Sequence, residues 1–530
     1  MNAFAWIIAL ALLALALYLL YRWGTANYDY FEQRRVPYVL PSSTFGRMLT
    51  GKLHPVDAAG EGYRVYPDER FSGFFVFRQP GYLIHDPELV KQITIKDFDH
   101  FVDHSFNISP ELDPFLGRSL FFESGASWKH GRIGLSPAFT GSKMRNMFEL
   151  LTSYCEGAMR RLVESAEGRI EKEVKDLFQR FGNDIMASIS FGMDIDSVRD
   201  PDNVFYQKGK RFTATTGIQG LKFFLVTLGG EKLLKWLGIR LTPRDVADFY
   251  LDVVSRTIKY REENSVVRPD FIHLLLQARK NILHHDQHDE KLDSAGFSTV
   301  EEHLKSTSED SKQWTDLDIA AAAASFFFGG IETTTTMLCF AIYEISLNPD
   351  IQHKLREEID AVQQELGDGR LTYEAMQRMK YLDMVVTETL RKWPPFGVLT
   401  RKCNKQYVME NGDGTKVTIE KGGHVQFSVH AIQRDPQYYP DPMRFDPERF
   451  SDENRHLINQ DTFLPFGSGP RNCIGSRLAL MQAKCLLYYL FRYFTVEISE
   501  RTDVPLRLDN TALGLSAKNG FWFYLIPREI

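Results

Sequence analysis

Ten residues near the carboxyl end hold the densest chemistry in the chain: Phe466-Gly-Ser-Gly469-Pro-Arg471-Asn-Cys473-Ile-Gly475. Three glycines, Gly467, Gly469 and Gly475, surround one cysteine, and glycine permits tight turns and close backbone approach. The following Ser476-Arg-Leu-Ala-Leu-Met-Gln-Ala-Lys-Cys-Leu-Leu reads as a helix. Cys473 therefore stands at a helix amino terminus, where free N–H groups and the helix dipole favour a thiolate. Such a thiolate serves as a nucleophile or as a metal ligand; the bland alternative is a small buried apolar side chain.

As a ligand, Cys473 would be one axial donor to haem iron, because no other Cys or His lies near enough in the sequence to build a zinc site. A second segment breaks its own local rules. Ala320 to Ala324 are excellent helix formers, and they run into Gly329-Gly330-Ile331-Glu332-Thr333-Thr334-Thr335-Thr336. Two glycines and four threonines inside a helix cost about 4 kcal/mol relative to alanine. Local inconsistency of this kind often marks a functional site. Glycine lets another group approach the backbone, and a hydroxyl beside an acid can relay protons. A third feature is Glu388-Thr-Leu-Arg391, an acid and a base on one helix face. On the surface such a pair is worth under about 1 kcal/mol.

Several common chemistries are poorly supported. Gly46-Arg-Met-Leu-Thr-Gly51-Lys52 nearly matches a phosphate-binding loop, but Leu53 stands where Ser or Thr would bind magnesium. There is no GxGxxG, GxSxG, CxxC or HExxH motif. Net charge is −6, so no chain-wide basic footprint for nucleic acid exists. Five scattered cysteines do not make a disulfide framework and fit a reducing compartment.

These residues need a scaffold, and 530 residues with 43% hydrophobic content can bury a large core. Ala3 to Leu20 is uncharged and almost wholly apolar, about 18 residues or roughly 27 Å of helix, enough to span a bilayer core. Basic residues follow it (Arg22, Arg34, Arg35) and none precedes it, which favours an uncleaved anchor over a signal peptide and leaves the bulk of the chain cytosolic. The expected organisation is a transmembrane anchor over 1–22, a linker over 23–60 and one large domain over 61–530. Within it, Tyr63-Arg-Val-Tyr and Gly73-Phe-Phe-Val-Phe read as strands with a turn at Pro80-Gly81. Residues from about 140 to 280 read as helices, with an apolar patch at Leu221–Val226 that is core or a second membrane-dipping surface. Residues 281–313, including His284, His285 and His288, read as an exposed polar loop. A long helix covers Thr315 to Leu347, helices run from Leu371 to Lys392, strands cover about 398–428, and Asp435 to Phe450 is too Pro-rich to be helical throughout.

The loop around Cys473 matches, at every specified position, the FxxGxRxCxG haem-thiolate loop of the cytochrome P-450 family, and the chain resembles insect microsomal members over essentially its whole length. The resemblance implies a mainly α fold with small β-sheets behind a single amino-terminal transmembrane helix. It makes Cys473 the axial ligand of haem b, with Phe466 in the same loop. Gly329 to Thr333 resembles the oxygen-activating motif [A/G]Gx[D/E]T, with Thr333 as alcohol and Glu332 as acid. Trp128, Arg132, Arg401 and Arg471 would hold the haem propionates, and His104 would stand where relatives carry arginine. Glu388 and Arg391 would form a buried pair joined by Arg449. The substrate pocket would be lined by Phe106, Phe121, Phe122, Phe328, Ile331, Phe396, Val398 and Leu515.

The implied activity is monooxygenation of small apolar substrates by O2, with electrons from NADPH through a separate NADPH–cytochrome reductase and a cytochrome b-type donor as a further partner. Lys129, Lys143, Arg145 and Arg477 are candidates for a basic reductase-docking patch. The implied place is the endoplasmic reticulum membrane. The rivals are an oxygen-independent haem-thiolate isomerase or dehydratase and a haem-binding sensor without turnover. The intact Glu332-Thr333 pair argues against both.

Overall fold

The computed structural model describes residues 3–213, 217–227, 229–280, 282–283, 296–300, 313–512 and 514–529. His284, His285 and His288 lie outside them. The helix Ala3–Thr25 carries Arg22 and Trp23 in its last turn, and its described side chains up to Trp23 are exposed. It is one of two described helices long and apolar enough to cross a membrane. The other, Asp316–Leu347, is mostly buried inside the protein and forms its central helix.

That long helix starts with a capping box: Thr315 Oγ1 accepts from the Asp318 N–H at 3.2 Å, and Asp318 accepts from the Thr315 N–H at 3.0 Å. Asp316 and Asp318 in the first turn complement the helix dipole. Ala320 to Ala324 are all buried, and their small side chains let neighbouring helices come close. The helix Val174–Phe191 packs along it; a Cβ on Gly330 would lie 2.9 Å from Met186. The helices Gly141–Glu164, Lys380–Lys392 and Ser476–Tyr493 also contribute to the main core.

Among the described residues nine short strands form three sheets. β1 (Phe71–Val76), β2 (Gln79–Ile84), β7 (His424–Phe427) and β4 (Leu399–Lys402) are hydrogen-bonded in that order, with β2 and β7 parallel and the other two pairs antiparallel. β3 (Ile170–Glu173), β9 (Trp522–Pro527) and β8 (Phe494–Ile498) form a second sheet, and β5 (Tyr407–Glu410) pairs with β6 (Lys416–Ile419). The first sheet carries Arg401 on β4 to the cysteine loop.

Two strand expectations need correction. Tyr63 lies in a short helix, Glu61–Val65, not in a strand. Tertiary contacts decide this: its hydroxyl donates to Asp435 at 2.6 Å and its ring packs on His85. The turn between β1 and β2 is Phe77-Arg78, not Pro80-Gly81, and Phe77 takes φ +55°. Pro80 sits in β2 just before its pairing with β7 begins at Gly81, where its missing N–H is not needed. The segment Gly46–Lys52 begins inside the helix Pro41–Leu49, with no strand before it to make a phosphate loop. Leu221–Val226 lies within a helix, Gly217–Thr227, that leaves Ile218, Leu221 and Phe224 exposed beside Leu233, Trp236 and Leu237 of the next one, Glu231–Trp236 and its cap.

Candidate functional site

The cysteine loop is fixed by its own backbone. The Cys473 N–H donates to the Phe466 carbonyl at 2.8 Å, Asn472 N–H to Gly469 at 2.9 Å and Gly467 N–H to Leu464 at 3.0 Å. Gly469 has φ +72°, and a Cβ there would stand 1.8 Å from the Thr94 carbonyl oxygen, so no other residue fits. The helix begins at Ser476 with Gly475 as its cap, so Cys473 precedes the helix and does not open it. Burial pushes the Cys473 thiol up, while the Gly475 N–H and Arg132 pull the other way. Cys473 remains accessible although protein surrounds it densely.

Four cationic or imidazole side chains gather beside this loop. Arg132, on the helix Gly125–Leu135, donates to the Asn472 carbonyl at 2.7 Å and to Asn472 Oδ1 at 2.5 Å, tying that helix to the residue before Cys473. Arg471 donates to the carbonyls of Val102 at 2.8 Å and Glu123 at 2.7 Å, and its guanidinium lies 4.0 Å over the buried Trp128 ring. Asp103 stands 3.6 Å from it. Arg401 lies 3.4 Å from His104 Nδ1 and donates to the Thr400 carbonyl at 2.9 Å; its Nε is buried without a partner. Burial and then the repulsion of Arg401 lower Arg471 to about 9, and burial lowers Arg401 to about 10. His104 is held well below its ordinary value by burial, then by Arg401 and Arg471, and its Nδ1 faces the Thr400 carbonyl at 3.2 Å. Such crowding of buried cations calls for anionic partners.

On the long helix, Gly329 and Thr333 share one face by their spacing. Gly329 is exposed in the midst of a buried helix, and a Cβ there would meet nothing within 4 Å. Thr333 Oγ1 donates to the Gly329 carbonyl at 2.7 Å. Glu332 points elsewhere: its Oε1 accepts from Gln179 Nε2 at 3.1 Å, in a small cavity that Asn183, Tyr206, Lys210, Phe328 and Ile331 also line. Thr334 and Thr335 are buried.

Of the eight apolar residues expected to line one pocket, four are in successive ring contact. Phe106, Phe121, Phe122 and Phe396 form a connected aromatic run, with ring centroids 5.9, 5.0 and 6.4 Å apart in successive pairs (106–122, 121–122, 121–396). Phe121 and Phe396 are half exposed, and Phe121 stacks on His104 at 5.1 Å, beside Arg401. Phe328 instead stacks on Phe212 at 3.9 Å and joins Ile331 on the buried Glu332 side of the helix. Leu515 is buried in the core and Val398 is half-buried.

Glu388 and Arg391 are wholly buried and bonded at 2.6 and 2.8 Å, and Arg449 Nε lies 3.6 Å from Glu388. Sequence reasoning missed Asn472, Asp103 and Gln179. They act through backbone carbonyls or through partners far along the chain, and no local pattern signals them.

The family profile described as "Cytochrome P450" matches residues 69–523. The chain is 40% identical to probable cytochrome P450 9f2 of Drosophila melanogaster, covering 98% of this chain and 99% of that one. It is 37% identical to cytochrome P450 9e2 of Blattella germanica, over 99% and 98%, and 33% identical to cytochrome P450 6k1 of the same species, over 97% and 95%. The chain belongs to the cytochrome P450 family. It is a haem-thiolate monooxygenase that takes electrons from NADPH through a reductase and acts on apolar substrates.

The residues present fit haem. Cys473 offers a single sulfur donor in a glycine-rich loop, as an axial thiolate would. The gathered arginines, with the orphaned Nε of Arg401, suit carboxylates that arrive with the group.

Proposed function

We propose that Cys473 is the axial ligand of haem b, in a loop braced by Phe466, and that Trp128, Arg132, Arg401, Arg471 and His104 hold the propionates. The observation that carries this is the accessible thiol enclosed beside a cluster of buried arginines. Bound haem supplies the binding and activation of O2. Coordination would keep the sulfur deprotonated against the upward push of burial. Arg401 Nε has a hydrogen free to give; Arg471 has given three of its donors to the Val102, Leu120 and Glu123 carbonyls and contributes mainly charge.

Thr333 and Glu332 are proposed as the proton-handling pair. The Thr333 hydrogen rests on the Gly329 carbonyl, which leaves the Oγ1 lone pairs to accept a proton or a water hydrogen. Glu332, bonded to Gln179 in a small cavity, is assigned the delivery of protons from the far side of the helix. The aromatic run Phe106, Phe121, Phe122 and Phe396 supports flat, uncharged substrates. We assign the substrate class as small apolar xenobiotics, insecticides or plant toxins among them. Glu388, Arg391 and Arg449 are assigned a structural role.

The helix Ala3–Thr25 supports single-pass anchoring in the endoplasmic reticulum membrane with the catalytic part cytosolic. The exposed apolar face of Ile218, Leu221, Phe224, Leu233, Trp236 and Leu237 supports a second membrane contact. The two are linked through one turn: Trp23 packs on Arg78 at 4.5 Å and Phe224 on Phe77 at 5.5 Å. A cytochrome b-type donor is proposed as a second electron source. Turnover of apolar insecticides, plant allelochemicals and insect hormones by the reconstituted protein tests the substrate class. Oxidation of the first two groups supports it, and turnover confined to hormones overturns it.

A further inference from the structure

Between the helix Phe271–Arg279 and the long helix, residues 296–300 are seated far from both, against the elements that frame Cys473. Gly296 takes φ +110°, and a Cβ there would lie 1.9 Å from Asp383 Oδ1, so the approach requires glycine. The Phe297 N–H donates to Asp383 Oδ2 at 3.2 Å. The same carboxylate pairs at 2.8 Å with Lys484, which is buried on the helix Ser476–Tyr493 that follows the cysteine loop. Ser298 is buried and donates to Thr387 Oγ1 at 3.1 Å, one residue from Glu388. The Phe297 ring completes a triangle with Phe450 and Phe463, with centroids 5.0, 5.4 and 5.5 Å apart. Phe450 follows Arg449, and Phe463 leads into the cysteine loop.

A cavity of about 190 Å³ lies between this segment and Phe463–Gly469 and reaches Asn472. The described ring contacts of Phe463 are those to Phe297 and Phe450. Leu464, the next residue, is buried and its N–H donates to Gln433 Oε1 at 2.7 Å, so a shift of Phe463 reaches the Phe466 carbonyl, which holds the Cys473 N–H, only by loosening that anchor.

We propose that Gly296–Val300 is a strap that positions the cysteine loop, with Phe297 as its positioning residue. The strap touches the Glu388 helix at Asp383 and Thr387, the Arg449 turn at Phe450 and the lead-in to the cysteine loop at Phe463, and Asp383 carries the contact on to Lys484 of the cysteine helix. The proposal rests on the assignment of Cys473 as axial thiolate. Without the Phe297 ring, Phe463 has the cavity to move into, and the loop gains freedom while the rest of the core stays packed.

The test uses the haem-loaded full chain in four forms: wild type, Phe297→Ala, Phe297→Leu and Phe205→Ala. Phe205 is a buried core aromatic remote from this segment in sequence and serves as the control. Two quantities are followed below the global melting temperature. One is the rate at which the red-shifted band of the ferrous carbon monoxide complex gives way to a shorter-wavelength band. The other is hydrogen exchange at the Gly467, Asn472 and Cys473 amides. Phe297→Ala should begin with the red-shifted band and lose it about tenfold faster than wild type, the scale of two lost ring contacts. Its loop amides should exchange faster while far-ultraviolet circular dichroism is unchanged. Phe297→Leu should fall between, and it carries the test if Phe297→Ala loads poorly. In Phe205→Ala, band loss should follow unfolding. Band loss at the wild-type rate in both Phe297 variants, or only in step with unfolding, overturns the strap. A wild type that never shows the red-shifted band overturns the ligand assignment instead, a separate failure visible before any variant is compared.

Discussion

The Arg391 guanidinium grips the Glu388 carboxylate with two hydrogen bonds, Nε to Oε2 at 2.6 Å and Nη2 to Oε1 at 2.8 Å, and solvent reaches neither side chain. Its remaining Nη1 donates to the Gln433 carbonyl at 2.9 Å, and Glu388 also accepts from the Asp446 N–H at 3.0 Å. The pair therefore joins the helix Lys380–Lys392 to the Pro-rich segment that leads to the cysteine loop. Burial pushes the Glu388 carboxyl up and Arg391 opposes it. Removing one partner strands a buried charge, at a cost of about 3–5 kcal/mol. Arg391→Ala and Glu388→Ala should yield little folded protein by circular dichroism and thermal melting. Arg449→Ala should cost less, because Arg449 stands at 3.6 Å and its Nη2 is bonded to the Asp441 carbonyl. Equal losses in all three would show that the third arginine is as tightly coupled as the pair.

Thr333 should govern coupling. Thr333→Ala should keep the haem spectrum and substrate-induced spectral shift while product per NADPH falls and hydrogen peroxide rises. Thr334 is different. Its hydroxyl is buried without a partner, so Thr334→Val, which keeps the shape and removes the hydroxyl, should leave coupling unchanged and stability equal or higher. Coupling lost in Thr334→Val and kept in Thr333→Ala would mean the motif lies one residue out of register.

Gly469→Ala should prevent haem loading. The left-handed backbone alone costs about 1–2 kcal/mol for a non-glycine residue. The added Cβ would also overlap the Thr94 carbonyl. Gly412, whose Cβ would meet nothing within 4 Å, serves as a comparison. Haem content per mole of protein should collapse for Gly469→Ala and stay near wild type for Gly412→Ala.

Acid should destabilise the fold in part through His85. Burial lowers its pKa to about 4, and it bonds to Ser72 at 2.9 Å and the Tyr66 carbonyl at 3.2 Å. The unfolded chain binds this proton near pH 6.5 and the folded chain only near pH 4, so the unfolded state holds more protons between them. The contribution is complete above pH 6.5 and is lost as pH falls toward 4, up to about 3 kcal/mol. His85→Gln should flatten the dependence of Tm on pH in that window, and an unchanged slope would place the acid sensitivity on other groups.

Deleting Ala3 to Leu20 should weaken membrane binding without preventing haem incorporation. Residual flotation with vesicles should then fall further in a Leu221→Ser, Trp236→Ser variant, since both side chains are exposed on the apolar face. Flotation indifferent to that pair would assign the residual contact elsewhere.

What was legible in the sequence was local. The cysteine loop, the weakened long helix and the Glu388–Arg391 spacing each lie within about ten residues, and each is recognisable from residue type and period. Tyr63 and the β1–β2 turn misled because contacts far along the chain decide them: Asp435 holds Tyr63, and Phe77 accepts a positive φ that its residue type does not announce. Phe328 and Phe121 are chemically alike, yet one stacks in the core on Phe212 and the other stands half exposed by His104. Side-chain chemistry does not say which face of a helix meets which neighbour. Phe297 was invisible for the same reason, since its partners Phe450 and Phe463 lie far along the chain.

The central claim is that one thiolate, that of Cys473, binds the haem iron. Ferrous carbon monoxide difference spectroscopy on wild type and on Cys473→Ser, with Cys155→Ser, Cys339→Ser, Cys403→Ser and Cys485→Ser beside it, tests this most directly. A thiolate opposite carbon monoxide gives a strongly red-shifted Soret band that a hydroxyl, imidazole or water does not. The band should be present in wild type and in the four other variants and absent in Cys473→Ser, along with monooxygenase activity. Persistence of the band in Cys473→Ser, or its loss in one of the other variants while Cys473 is intact, would contradict the account.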